Sequence, residues 1–267
     1  MNYVGIEINK AFHFGSQKVK DIITSQRHYH NLFELYYLES GSCRYFIEDK
    51  IYEMLPNDIV LIPAGVIHNA VYPTEHHTRI LINCSSDYIP KGVSFEKLRF
   101  YRCGDNSKLI YKLLKSIENE YLLSDDYSDI MIKCFTNELF IHIARNSKPE
   151  KYGTSKKTLI EEVTGYIQSN FAVGITLSEI AKQFCVSTAH LSRLFKKQTG
   201  FGFNEYVNLV RLREAELMLK NERNKSILEI AFLCGFNDSN YFSARFHKAY
   251  GITPSDYRNE KTGSPIV

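Results

Sequence analysis

Ser226-Ile-Leu-Glu229-Ile-Ala231-Phe-Leu-Cys-Gly235-Phe236-Asn-Asp-Ser-Asn-Tyr241-Phe242-Ser-Ala-Arg-Phe246-His-Lys-Ala-Tyr-Gly251 decides the reading of the second half of the chain. Its plan occurs twice. Thr176-Leu-Ser-Glu179-Ile-Ala181, a turn at Cys185-Val186-Ser187 and His190-Leu-Ser-Arg-Leu-Phe195-Lys-Lys-Gln-Thr-Gly200 form the earlier copy, one residue shorter in its turn. Each copy opens with S/T-x-x-E, a capping box whose two side chains satisfy the first free N–H groups of a helix. An apolar helix, a tight turn and a second helix closing on Lys-x-x-Gly then follow in both. A single basic helical hairpin is a common supersecondary unit with no necessary function. Its repetition with box, Ile-Ala pair, turn and closing glycine intact is not what an arbitrary bundle requires.

Two helices joined this way meet the mechanical needs of a major-groove reader. In the first unit Ile180, Ala181, Val186, Leu191, Leu194 and Phe195 form the internal core, and Ala181 is small where the helices cross. Thr188, Ala189, Ser192 and Arg193 are left facing outward. Arg193 can donate two parallel hydrogen bonds to guanine O6 and N7, a contact worth about 1–3 kcal/mol of discrimination. Lys196 and Lys197, further along, are placed for phosphate.

These residues resemble the AraC/XylS family of bacterial transcription regulators, and the stretch from Ile230 to Arg258 matches that family's signature closely. The resemblance implies a seven-helix DNA-binding domain from about Leu159 to Arg258, with a long joining helix within Phe203 to Leu219. It also implies recognition helices about one DNA turn apart. Carried over by position, base-reading sites fall on Ala189, Ser192 and Arg193, and in the second unit on Ser239, Asn240, Tyr241, Ser243 and Ala244. Ala244 stands where some relatives have Arg. The neighbouring Arg245 points about 100° away on a helix, so it joins the expected DNA-contacting set chiefly through the backbone.

Upstream, the segment from Ile22 to about Cys84 reads as short strands broken at Glu39-Ser40-Gly41, Glu48-Asp49-Lys50, Pro56-Asn57-Asp58 and Pro63-Ala64-Gly65, as in a barrel or sandwich. Two helices follow. Ile110, Leu113, Leu114, Ile117 and Tyr121 form one apolar stripe, and Ile130, Cys134, Ile141 and Arg145 mark the second helix. The polar, breaker-rich stretch 147–157 reads as a linker between a domain at 1–146 and one at 158–267. The expected architecture is α+β in two domains, a β-barrel with flanking helices and an all-α domain with two helix-turn-helix units.

Within the strands, His28-x-His30-x-x-x-Glu34, then Gly41, and later Pro63-Ala-Gly65-Val-Ile-His68 resemble the two cupin motifs. Asn57 replaces the Gly that opens the second motif, and Tyr72 replaces its terminal Asn. Strand alternation puts His28, His30 and Glu34 on one face, with His68 arriving from a facing strand. Three readings stay open. The cluster can bind a metal with open positions, hydrogen-bond an organic effector without metal, or satisfy itself as barrel interior. Tyr36, Arg44 and Tyr45 lie close enough in sequence to contact a sugar or carboxylate effector.

The composition permits this plan. The chain has 267 residues, 44% hydrophobic and 24% charged, enough for two cores without staples. Its six cysteines are scattered without a C-x-x-C pair, and read as reduced and mostly buried. From Ser155 onward 15 Lys and Arg face 11 Asp and Glu, against 18 and 19 before it, a mild basic bias in the half expected to meet nucleic acid. No apolar run approaches a membrane span and Met1 to Lys10 lacks a signal-peptide core, so a cytoplasmic protein without a membrane partner is expected. The expected partners are double-stranded promoter DNA, a small-molecule effector such as a sugar or sugar derivative, a second copy of the chain, and RNA polymerase. No cofactor and no catalysis are called for. The family implies activation more often than repression. A metal-dependent cupin enzyme with a DNA-binding appendage is the rival reading.

Overall fold

A computed structural model describes residues 11–19, 32–72, 76–95, 99–147 and 157–259. The strand expected to begin at Ile22 and nearly all of the expected linker lie outside these residues.

Eight strands build the N-terminal half among the described residues: β1 (Phe12–Val19), β2 (Phe33–Ser40), β3 (Cys43–Ile47), β4 (Lys50–Met54), β5 (Asp58–Ile62), β6 (His68–Val71), β7 (His77–Cys84) and β8 (Phe100–Arg102). They form a five-stranded sheet ordered β1-β7-β2-β5-β8 and a three-stranded sheet ordered β4-β3-β6, with antiparallel pairing throughout. This is a flattened, two-sheet cupin-like barrel. Strands β1 and β8 extend it beyond the sequence expectation.

Alternation on β2 explains the layering. Phe33, Leu35 and Tyr37 face one way and join Ile80 and Ile82 of β7 beneath α1 (Ser107–Leu123) and α2 (Ser128–Asn146). Tyr36 and Leu38 face the other way and join Tyr45, Ile47, Tyr52 and Met54 of the small sheet. Burial on both faces is why β2 reads as a continuous apolar run, each buried Leu contributing about 1.5–3 kcal/mol. The stripe predicted on α1 is buried at Ile110, Leu113, Leu114 and Ile117. On α2 the phase differs from the expectation. Ile130 and Cys134 are exposed, and Ile132, Thr136, Leu139, Phe140 and Ile143 are buried instead, because the helix presents that side to Phe33 and Phe95. Asn57 adopts a left-handed φ of 73°, the conformation for which the cupin motif uses glycine, and its Oδ1 accepts from Tyr37 Oη at 2.6 Å.

Seven helices make up the described C-terminal half: α3 (Leu159–Asn170), α4 (Leu177–Gln183), α5 (Thr188–Thr199), α6 (Phe203–Asn221), α7 (Ile227–Leu233), α8 (Ser239–Tyr250) and α9 (Pro254–Asn259). Both predicted capping boxes form. Thr176 Oγ1 accepts from Glu179 N at 3.2 Å while Glu179 Oε2 accepts from Thr176 N at 3.1 Å, and Ser226 and Glu229 repeat the exchange at 3.1 and 2.6 Å. Those hydrogen bonds hold both glutamates below the usual carboxylate range. Gly200 and Gly251 close α5 and α8 at φ of 78° and 79°.

The outer face of the small sheet is not bare. Phe46 on β3 and Ile67 before β6 enter the core of the first helix-turn-helix unit, where Phe46 meets the rings of Phe201 and Tyr206 at 6.2 and 5.6 Å. Tyr206 Oη donates to the Glu48 carbonyl at 2.6 Å, Asn69 Nδ2 donates to the Thr199 carbonyl at 3.2 Å, and Arg213 pairs with Glu48 at 3.6 Å. Gly200 permits this approach, since a Cβ there would lie 1.9 Å from Asn69 Nδ2.

A candidate DNA-reading face and a polar barrel interior

Helices α4 and α5 pack through Ile180, Ala181, Leu191 and Phe195, all buried, with Val186 and Leu194 partly so. Fixing that side of α5 leaves the other in solvent: Thr188, Ala189, Ser192, Arg193, Lys196 and Lys197 are all exposed. Ser187 starts the helix by accepting from His190 N at 3.2 Å, which satisfies one of the first-turn N–H groups. The turn before it places exposed Cys185 at φ 55°, the position Gly235 takes in the second unit at 81°.

In the second unit Asp238 caps α8 by accepting from Tyr241 N at 2.6 Å. Asn240, Tyr241 and Ala244 are exposed, and Ser239 and Ser243 half-buried. Arg245 turns aside from them. Its guanidinium lies 5.4 Å from the Tyr241 ring centroid and borders a groove with Glu205, Asn208 and Lys248.

Inside the barrel, Glu34 and His68 are buried together. Glu34 Oε1 accepts from Tyr45 Oη at 2.7 Å, and its Oε2 lies 3.7 Å from His68 Nε2. Burial pushes His68 down, but the Glu34 carboxylate and the Val66 carbonyl, 2.8 Å from Nδ1, together hold it above the ordinary imidazole value. Burial, then the charge of Glu34, pushes Tyr45 well up. Tyr36 is also interior, its ring 5.0 Å from that of Tyr45. Arg44 does not join this group. It lies on the opposite face of β3, where Nε donates to Glu53 Oε1 at 2.6 Å near the surface. His28 and His30 lie outside the described residues. Among the described residues no group of three potential metal ligands occurs.

Two interior residues escaped the sequence reading. His77 and Arg79 alternate along β7 onto the same face as Glu34 and Tyr36, a pattern the period of two would have exposed once β7 was paired with β2. The interdomain residues Glu48, Asn69, Tyr206 and Arg213 carried no local signal.

The class this arrangement defines is a DNA-binding regulator: a ligand-binding barrel ahead of a tandem helix-turn-helix domain. Residues 19–85 match a family model described as "AraC-like ligand binding domain", and residues 180–260 match one described as "Helix-turn-helix domain". The chain belongs to the AraC family. It is 25% identical over 243 residues to the HTH-type transcriptional activator RhaR of Mannheimia succiniciproducens, covering 87% of this chain and 86% of that protein. An uncharacterized HTH-type transcriptional regulator of Escherichia coli, YijO, is 40% identical over 104 residues, or 39% of this chain and 36% of its own. The HTH-type transcriptional activator RhaS of Klebsiella pneumoniae is 34% identical over 121 residues, 45% of this chain and 43% of that protein. No helix among the described residues is long and apolar enough to cross a membrane.

Proposed function

We propose that this regulator activates transcription in the cytoplasm by reading promoter DNA with α5 and α8 under the control of a small molecule held in the barrel, without catalysis. The observation that carries the reading is a division of labour within two strands. On β3, Tyr45 points inward to Glu34 while Phe46 points outward into the first helix-turn-helix unit. Around β6, His68 faces Glu34 while Ile67 and Asn69 meet that unit's core and the end of α5. A ligand that shifts the inner residues moves the outer ones, and the free energy so coupled acts equally in both directions.

In this reading Thr188, Ala189, Ser192 and Arg193 face base edges, and Lys196 and Lys197 face phosphates. Ser239, Asn240, Tyr241 and Ser243 read a second groove segment and Arg245 contacts the backbone. The domains occupy 1–146 and 158–267 with 147–157 joining them. Activation as the sign, with RNA polymerase as the further partner, is supported by relatives named as activators. Leu122, Leu123, Tyr127 and Ile130, all exposed around the α1–α2 turn, form the apolar patch on which two copies pair.

Fluorescence anisotropy on DNA from upstream of the chain's own operon tests the reading. Saturable binding that weakens steeply with salt is expected, because phosphate contacts release counterions. No preference for that DNA over unrelated sequence at low salt would refute it.

A further inference from the structure

The barrel interior holds a cation that the Glu34 cluster does not use. Arg79 on β7 donates from Nη1 to Tyr72 Oη at 2.7 Å and from Nη2 to Gln17 Oε1 at 2.8 Å, both neutral acceptors. Its guanidinium carbon lies 5.8 Å from the Tyr72 ring centroid and 5.9 Å from that of Tyr36. No ion pair among the described residues includes Arg79. A half-buried guanidinium beside aromatic rings and neutral oxygens keeps its charge, and such a charge is stabilised when an anion completes the set.

The neighbours are equally incomplete. Tyr36, with no measurable exposure, presents an Oη that no protein group meets with hydrogen-bond geometry. His77, 1% exposed, stacks on Tyr72 with centroids 3.8 Å apart, and neither of its ring nitrogens has a partner. Burial, then the charge of Arg79, holds His77 below the ordinary imidazole value. The ring therefore stays neutral at neutral pH, with one N–H donor and one lone pair, the combination a hydroxyl group satisfies. On the same face of β7, buried Asn83 offers an Oδ1 that is also without a partner. A fork of positive donors beside a phenol donor suits an oxyanion.

We infer that Arg79, Tyr36 and His77 form an oxyanion-recognition subsite, and that the effector is a small hydroxylated carboxylate or phosphate, such as a sugar acid or sugar phosphate. This rests on the reading of the barrel as the effector site. Arg79 takes the anionic group, Tyr36 Oη donates to it, and His77 meets an adjacent hydroxyl.

The test is calorimetric titration of the full chain with galacturonate, gluconate and glucose 6-phosphate, each beside its neutral parent sugar. Saturable binding of an acid or phosphate is expected, and the responding series identifies carboxylate or phosphoryl as the anionic group. Arg79→Gln weakens that binding by roughly tenfold to a hundredfold, the loss expected for a hydrogen bond to a charged group. Arg79→Lys retains part of it. Tyr36→Phe separates recognition from architecture, because removing a buried hydroxyl that has no well-formed hydrogen bond leaves the ligand-free melting temperature little changed while affinity falls. A lowered melting temperature with unaltered affinity would make Tyr36 structural and overturn its role. A neutral sugar binding as tightly as its acid, with sensitivity to His68→Ala but not to Arg79→Gln, would overturn the oxyanion subsite and leave the barrel as the effector site. No saturable binding by any of these compounds at millimolar concentration would overturn the oxyanion assignment. An unchanged operator affinity on substituting Glu34 or His68 would remove the effector reading as well.

Discussion

Replacing Phe46 by Ala attacks the contact between the barrel and the first helix-turn-helix unit at its largest apolar component. Phe46 is fully buried, yet it belongs to the outer face of β3 and packs on Phe201 and Tyr206 of the other domain. In a single core, Phe→Ala costs about 3–5 kcal/mol. Here the two bodies can separate instead of keeping a cavity, so the loss falls chiefly on the docked arrangement. A loss of about 3 kcal/mol lowers the ratio of docked to undocked molecules roughly a hundredfold. Polar contacts, among them Tyr206 Oη to Glu48, Asn69 to Thr199 and the Arg213–Glu48 pair, remain to hold the domains loosely. Backbone hydrogen exchange followed by mass spectrometry should show faster exchange in Phe201 to Val207 and in Phe46 to Ile51, with α7 and α8 unchanged. Calorimetry should resolve two unfolding transitions more widely separated than in the parent. Unaltered exchange in Phe201 to Val207, together with a barrel transition lowered by a simple cavity cost, would show that Phe46 serves the barrel alone and that the proposed coupling route is absent.

Cys185→Gly should raise the urea midpoint by an amount equivalent to about 0.5–1 kcal/mol, because a left-handed residue with a Cβ costs more than the extra unfolded-state freedom of glycine; a lowered midpoint would contradict the strain at φ 55°. Arg193→Ala should abolish preference at one operator position, costing about 1–3 kcal/mol there, whereas Lys197→Ala should weaken binding to all sequences alike. Selection of binding sites from a randomised library reads both, and an unchanged base preference in Arg193→Ala would misplace the reader. For His68 the folded value is raised, so the stability it contributes is fully present below the unfolded imidazole value of about 6.5 and is lost as pH rises through the folded value. The urea midpoint should fall across that window in the parent and vary less in His68→Gln; equal slopes would exclude the Glu34–His68 pair as the cause.

The helix-turn-helix pair was legible because its signals are local. Capping boxes, turn residues and C-terminal glycines sit within a few residues of the structure they produce, so Thr176, Ser226, Gly200 and Gly251 name their own positions. The stripe on α1 was equally plain. That on α2 was misplaced by a turn's fraction, since Ile130 is as apolar as Ile132 and only the packing partner distinguishes them. Strand β8 is three residues long and β1 mixes Ser, Gln and Lys into its length, leaving neither with a strong alternating pattern. In the barrel, Glu34 and His68 follow from motif spacing, whereas Arg79 becomes meaningful only when β7 is seen to lie beside both β1 and β2. Glu48 reads correctly as a turn residue, and Asn69 follows the strand residue His68 without a signal of its own. Their contacts across the domains depend on chain segments more than a hundred positions away, beyond any window of sequence pattern.

The alternation of β3 and β6 has an evolutionary consequence. Because neighbouring residues on a strand point to opposite sides, the positions that would choose a signal under the proposed function, Tyr45 and His68, interleave with those that would deliver the response, Phe46, Ile67 and Asn69. A lineage can exchange the inner set to answer a new metabolite while the outer set keeps its grip on the reading helix, or retune the grip while the chemistry inside stays constant. Innovation in sensing and adjustment of output can thus proceed along the same few residues of chain as nearly separate inheritances.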